Sequence, residues 1–202
     1  MRKEIFNLVK DTLAIAGIEA TDPTSMDLEL LVESFINAGY SGIINFPTVG
    51  IYTSYRKMRD STGLGFSREV DMIKLARDKD IFTMVYVFSP EDTEEMVKAG
   101  VDCVCPHVGG TSGGLVGFKG VKSFDVTVKT IQEMVEAAKA VNPDVICLSH
   151  GGPIATPEDT KYIYEHTDVV GYVGASSIER IPVERAVIEI VRQFKNISIK
   201  QD

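Results

Sequence analysis

Six short apolar runs organise this sequence: LAIAGI (13–18), GIINF (42–46), FTMVYVF (82–88), DCVCPHV (102–108), VICLSH (145–150) and VVGYVGA (169–175). None alternates with polar residues, as expected of parallel strands buried on both faces. Between them lie segments of helical period with explicit starts and stops. Ser89-Pro90-Glu91-Asp92 and Thr156-Pro157-Glu158-Asp159 are nearly the same word. Each offers a hydroxyl N-cap, a proline at the first helical position, and carboxylates that accept orphan amides and complement the helix dipole. Ala38-Gly39 and Ala99-Gly100 suit left-handed helix ends, and Asn142-Pro143 closes a helix over roughly residues 125–141. The order is one helix, then six βα units.

Strict βα alternation requires a parallel sheet with right-handed crossovers, either a (β/α) barrel or an open doubly wound sheet. Periodicity alone does not choose between them. A chain of 202 residues with 44% apolar content is expected to form one barrel-type domain over 1–202. A net charge of -8 and a pI near 5.0 oppose binding to phosphate backbones, so nucleic acid is not expected as a partner. No run reaches the eighteen apolar residues of a membrane span. Cys103, Cys105 and Cys147 lie in apolar runs without zinc-type spacing and are read as buried thiols in a reducing cytoplasm.

In both architectures ligands bind at the carboxyl ends of the strands. The first end, Gly17 to Pro23, offers Glu19 and Asp22 as a general base or cation ligands, or alternatively as caps of the next helix with Thr24. The second offers Asn45, whose amide needs partners. Beyond it, residues 51–66 read as a long lid-like loop carrying Tyr52, Tyr55, Arg56 and Arg59. Tyr86, at the third, either donates to a ligand or sits in the core. His107, at the fourth, opens a glycine-rich stretch containing Thr111, suited to an anion nest but lacking the GK[ST] of a nucleotide-binding P-loop. The fifth is Ser149-His150-Gly151-Gly152. At the sixth, Gly174, Ser176 and Ser177 let an anion approach amides and hydroxyls, while Arg180 either adds an anion fork or pairs with Glu179 or Glu184. Two of the chain's three histidines thus fall at strand ends.

These stretches also carry a resemblance. GIEATDP, NFPTVG, YVFSPEDTEEMVKAGVD, NPDVICLSHGGPIATPED and GYVGASSIERIPVERA resemble the phosphoenolpyruvate hydrolase-like TIM-barrel family, over nearly the whole chain. The resemblance implies a barrel related to the phosphoenolpyruvate mutase and isocitrate lyase group, whose members make or break bonds beside a carboxylate. It also implies that the first two strands of such a barrel are missing, so a separate chain or a second copy is expected to complete it. The resulting expectation is a hydrolase or lyase for a small anionic, phosphoenolpyruvate-like substrate. His150 or Glu19 would move the proton, and Asn45 and His107 would orient the carbonyl end. Ser176, Ser177 and the Gly151-Gly152 amides would hold the anion, and a divalent cation such as Mg would sit at Glu19 and Asp22. The alternatives are a non-catalytic small-molecule or protein-binding module of a larger assembly and, more remotely, a nucleotide-binding doubly wound protein.

Overall fold

Both near-identical cap words start helices as they stand. In the computed structural model, which describes residues 2–199, Ser89 caps α5 (Pro90–Lys98) and Thr156 caps α7 (Pro157–His166), each through its hydroxyl. In α7 the Asp159 carboxylate returns the bond to the Thr156 amide at 2.9 Å, completing a capping box. Gly39 and Gly100 end their helices at φ 93° and 91°, backbone that side chains resist.

The six runs form β1 (Ile15–Gly17), β2 (Gly42–Ile44), β3 (Phe82–Val87), β4 (Cys103–Pro106), β5 (Ile146–Ser149) and β6 (Gly171–Tyr172). The remaining helices are α1 (Arg2–Ile5), α2 (Leu28–Ala38), α3 (Thr53–Asp60), α4 (Phe66–Asp78), α6 (Phe124–Val141) and α8 (Ile181–Lys195). All strand pairs are parallel, and the spatial order is β1-β2-β3-β4-β5-β6. A doubly wound sheet reverses its strand order at a switch point, and this one does not. The alternative left open by periodicity is thereby settled: these are six strands of a TIM-type (β/α) barrel.

The core divides as that architecture requires. The main cluster joins strand residues Ile43, Val85, Val104 and Cys147 to helix residues such as Ile73, Met96 and Met134. The opposite, concave face holds Ile44, Tyr86 and Cys105, with Ile15, Met84, Phe88, Leu148 and Val173 packed around them, and no helix contributes. Helices therefore cover one face only.

Six strands leave the barrel open. Among the described residues β1 pairs only with β2 and β6 only with β5. Apolar side chains stand exposed near both edges: Leu13 is 70% exposed, Val170 72% and Phe194 68%. A cavity of about 710 Å³ opens beside β1, lined by Val9, Leu13, Ile15, Phe35 and Tyr40 among others. Of α8, only Ile181 is buried, while Val183, Val187, Ile190 and Val191 face outward.

The segment expected to be a lid is helical instead. Residues Val49–Ile51 form a 3-10 turn and α3 follows at once. The expectation came from its length and polarity, but α3 is held by contacts that a linear reading does not see. Arg56 lies over the Phe66 ring and pairs with Asp92 at 2.6 Å, and Arg59 donates to the carbonyls of Thr21 and Leu64.

Candidate active site at the carboxyl ends of the strands

His107 and His150 meet just beyond β4 and β5, in a parallel bridge to one another. Strand alternation sends His107 to the same side as Cys105, and His150 to the same side as Leu148, so both rings lie on the concave face. Their ring centroids are 4.7 Å apart. The Tyr86 ring lies 5.1 Å from His107 and 5.0 Å from His150, and Phe88 lies 5.0 Å from His107. Phe46, half exposed, meets Tyr86 edge-on at 5.8 Å.

The hydrogen bonds assign the two imidazoles different roles. His150 Nδ1 lies 2.7 Å from the Val173 carbonyl, which can only accept, so Nδ1 carries the proton and Nε2 offers a lone pair. His107 Nδ1 accepts from the Gly109 amide at 3.2 Å, so its proton sits on Nε2. Burial, reinforced by the neighbouring His150, pushes His107 down to about 4, and burial likewise lowers His150. At neutral pH the pair is one acceptor beside one donor, both uncharged. Burial also raises the Tyr86 phenol, which keeps its proton.

The loops beyond β4 and β5 are joined through their backbones. Gly152 N donates to Gly109 O at 2.8 Å, Ser112 N to Gly152 O at 2.9 Å, and Val108 N to His150 O at 3.1 Å. Gly151, at φ 85°, passes so close that a Cβ there would stand 2.1 Å from Gly109 O. The Gly152 amide is thus already engaged, and Thr111 is buried beside this crossing.

The other expected residues are placed as follows. Asn45 is fully buried and turned toward α4, bonded to Glu69 and to the main chain of Tyr86. Ser149 is buried, and its hydroxyl donates to Gly171 O at 3.4 Å. Tyr172 donates its hydroxyl proton to Ile154 O and so receives one from Ser177 Oγ, both at 2.9 Å. Arg180 pairs with Glu184 at 2.6 Å and donates to Gly113 O, while Glu184 accepts from the Leu115 amide, tying the glycine-rich loop to the start of α8. Gly174 packs against Ile178, and the Ser176 carbonyl accepts from Ile181 N. Between the β6 loop and α7 a cavity of about 430 Å³ is lined by Tyr172, Ser177, Ile178 and Tyr164 among others.

Glu19 stands apart from the histidines, exposed on a cavity of about 190 Å³ shared with Tyr52, Tyr55 and Arg59. Asp22 Oδ1 accepts both the amide and the hydroxyl of Thr24, which hold its carboxyl below the usual range. Among the described residues no group of three His, Cys, Asp or Glu side chains comes together for a metal. Glu19 and Asp22 are thus not joined by a third such side chain.

One residue escaped the sequence reading. Glu69 is wholly buried on α4 and accepts from Asn45, Thr48 and Val49. Its signal was present: Phe66, Glu69, Val70 and Ile73 share helical spacing, so a carboxylate occupies a place in the apolar stripe.

The geometry sits beside three likenesses. The pattern of the phosphoenolpyruvate hydrolase-like family matches residues 1–197. The ToMV susceptible protein tm-1 and the ToMV resistance protein Tm-1, both of Solanum lycopersicum, are 38% and 37% identical over 202 residues, 99% of this chain. The chain spans 27% of the length of each. Among solved structures, 2,3-dimethylmalate lyase, a PEP mutase/isocitrate lyase superfamily member, aligns over 77% of this chain and 55% of that one, with 11% identity and a TM-score of 0.48. No helix among the described residues is long and apolar enough to cross a membrane.

Proposed function

The chain belongs to the phosphoenolpyruvate hydrolase-like family, and on that premise we propose that it contributes the catalytic rim of a hydrolase or lyase acting on a small phosphoenolpyruvate-like anion. The observation that carries the reading is the complementary protonation of His107 and His150 side by side at the strand ends. For hydrolysis, His150 Nε2 takes a proton from water as the water oxygen bonds to phosphorus. His107 Nε2–H donates a hydrogen bond to the enolate oxygen as the old P–O bond breaks. His150 then gives the proton it took to the leaving enolate, which becomes the keto acid and leaves both imidazoles as they began. The anion rests at the β6 loop, on Ser176 and the amides near Gly174, where small residues admit it closely. The three thiols, all buried and unpaired, suit a reducing cytoplasm.

The open edges call for further polypeptide. A filled barrel of this type has eight strands. Two parallel βα units, one strand pairing with β1 and one with β6, would cover Leu13, Val170 and the outward face of α8. A second copy brings six strands rather than two, so the occupant that fits is a βα pair from outside residues 1–202. The mass in solution tests this: a stable dimer of the chain alone would identify a second copy instead and overturn the assignment.

The committed internal bonds of Asn45, Ser149, Ser177 and Arg180 favour one rival, a binding module without turnover. Release of phosphate and pyruvate from phosphoenolpyruvate by the completed assembly separates the two. Loss of that release on His150→Ala, with the fold retained, is the expected result. Anion binding that survives His150→Ala, with no turnover in the parent, would select the module.

A further inference from the structure

Glu69 is the most buried carboxylate near the rim and takes no part in the proton transfers above. Its Oε2 accepts from Asn45 Nδ2 at 2.6 Å and Thr48 Oγ1 at 2.7 Å, and its Oε1 from the Val49 amide at 2.8 Å. Asn45 in turn clasps the main chain of Tyr86 from both sides. Its Oδ1 accepts the Tyr86 amide at 2.7 Å, and its Nδ2 donates to the Tyr86 carbonyl at 3.2 Å. Both hydrogens of the Asn45 amide are then used, one toward Glu69 and one toward Tyr86. The Tyr86 ring closes the sequence by touching both imidazoles.

We propose that Glu69 is a positioning residue: by gripping Asn45 it fixes the end of β3 and seats the Tyr86 ring against His107 and His150. The consequence for turnover rests on the function proposed above, whereas the seating itself does not. The choice of acid over amide follows from the donors. All three groups that reach Glu69 donate, so a glutamine would set an N–H against an N–H wherever it turned. Asn45 cannot flip to relieve this without losing both bonds to Tyr86.

The chain's three histidines make the test direct. The third, His166, stacks on Tyr162 at 4.1 Å in α7 and serves as an internal reference. Ring-proton spectra of Glu69→Gln are expected to show His107 and His150 displaced and His166 unmoved, with smaller displacements of the same two rings in Thr48→Val. Unmoved His107 and His150 rings in a folded Glu69→Gln protein would overturn the proposal, as would equal displacement of all three. Should Glu69→Gln not fold, unmoved rings in Thr48→Val overturn it equally. With phosphoenolpyruvate as substrate, Glu69→Gln should lower kcat on the order of tenfold with KM nearly unchanged, since misplacement affects the chemical step. Displaced rings in a protein whose parent shows no turnover would support the seating while removing the hydrolase reading.

Discussion

His107 and His150 hold their protons on opposite ring nitrogens, one presenting an N–H and its neighbour a lone pair. This arrangement is fixed by main-chain groups, the Gly109 amide and the Val173 carbonyl, rather than by other side chains. At pH 7, nitrogen-resolved spectra should find His107 protonated at Nε2 and His150 at Nδ1, both neutral. A shared tautomer, or a charged imidazole at that pH, would remove the donor–acceptor pair on which the proposed mechanism depends.

Two buried groups should give opposing pH dependences of stability. His107 is lowered to about 4, so below its ordinary value of 6.5 the unfolded chain takes up a proton that the folded one refuses. Its contribution is complete above pH 6.5 and falls by roughly 3 kcal/mol as pH drops through 4. Glu69 runs the other way. Burial pushes its carboxyl up to about 7, against the pull of its three donors and the Arg56 charge, so the folded state gains a proton first and is favoured as pH falls from 7 toward 4.5. Thermal melts should show His107→Gln stabilised on acidification through that window and Glu69→Gln destabilised below 6.5. Parallel pH curves for the two variants would contradict both assignments.

Gly151→Ala should cost on the order of 2–4 kcal/mol, because the residue sits at φ 85° and its new Cβ meets the Gly109 carbonyl rather than a yielding side chain. Denaturant melts measure the loss. The same change at Gly39, also at positive φ but with open space around it, is the control and should cost about 1 kcal/mol.

Removing Arg56 leaves Asp92, whose side chain is 4% exposed, without its ion-pair partner. Burial already raises the Asp92 carboxyl despite the guanidinium. Arg56→Ala is expected to cost about 3–5 kcal/mol, and Asp92→Asn combined with it should recover part of that loss. Chemical denaturation of the single and double variants checks the pair.

Arg180→Ala should barely change global stability, since a partly exposed ion pair contributes about 1 kcal/mol or less. Its effect should be local. The bonds from Arg180 to Gly113 O and from Leu115 N to Glu184 tie the glycine-rich loop down, so amide exchange and protease cutting at 113–117 should rise. Unchanged exchange there would show that the loop is held by its other contacts.

Much of the architecture was legible because local rules and tertiary need agree. Both Pro-Glu-Asp caps and all six strands are where spacing placed them, and the two strand-end histidines share a face as strand alternation requires. What spacing could not give was closure, since barrel and doubly wound sheets share one local grammar and differ only in strand order. Residues 51–66 misled for a related reason. Their polarity reads as solvent exposure, but Arg56 and Arg59 spend their charge on Asp92 and on carbonyls far away in sequence. Asn45 was singled out correctly as a buried amide needing partners, yet its partners are Glu69 and Tyr86, one of them 24 residues away and the other 41.

The crossed main-chain bonds between the loops after β4 and β5 carry a mechanical consequence. Gly152 to Gly109, Ser112 to Gly152 and Val108 to His150 are bonds between residues forty or more positions apart in sequence. A chain section that opens must break all three together, so the two loops behave as one hinge-free plate rather than as two independent flaps. Whatever docks against either glycine turn is therefore sensed by both imidazoles at once, and breathing of this rim should register as a single cooperative event.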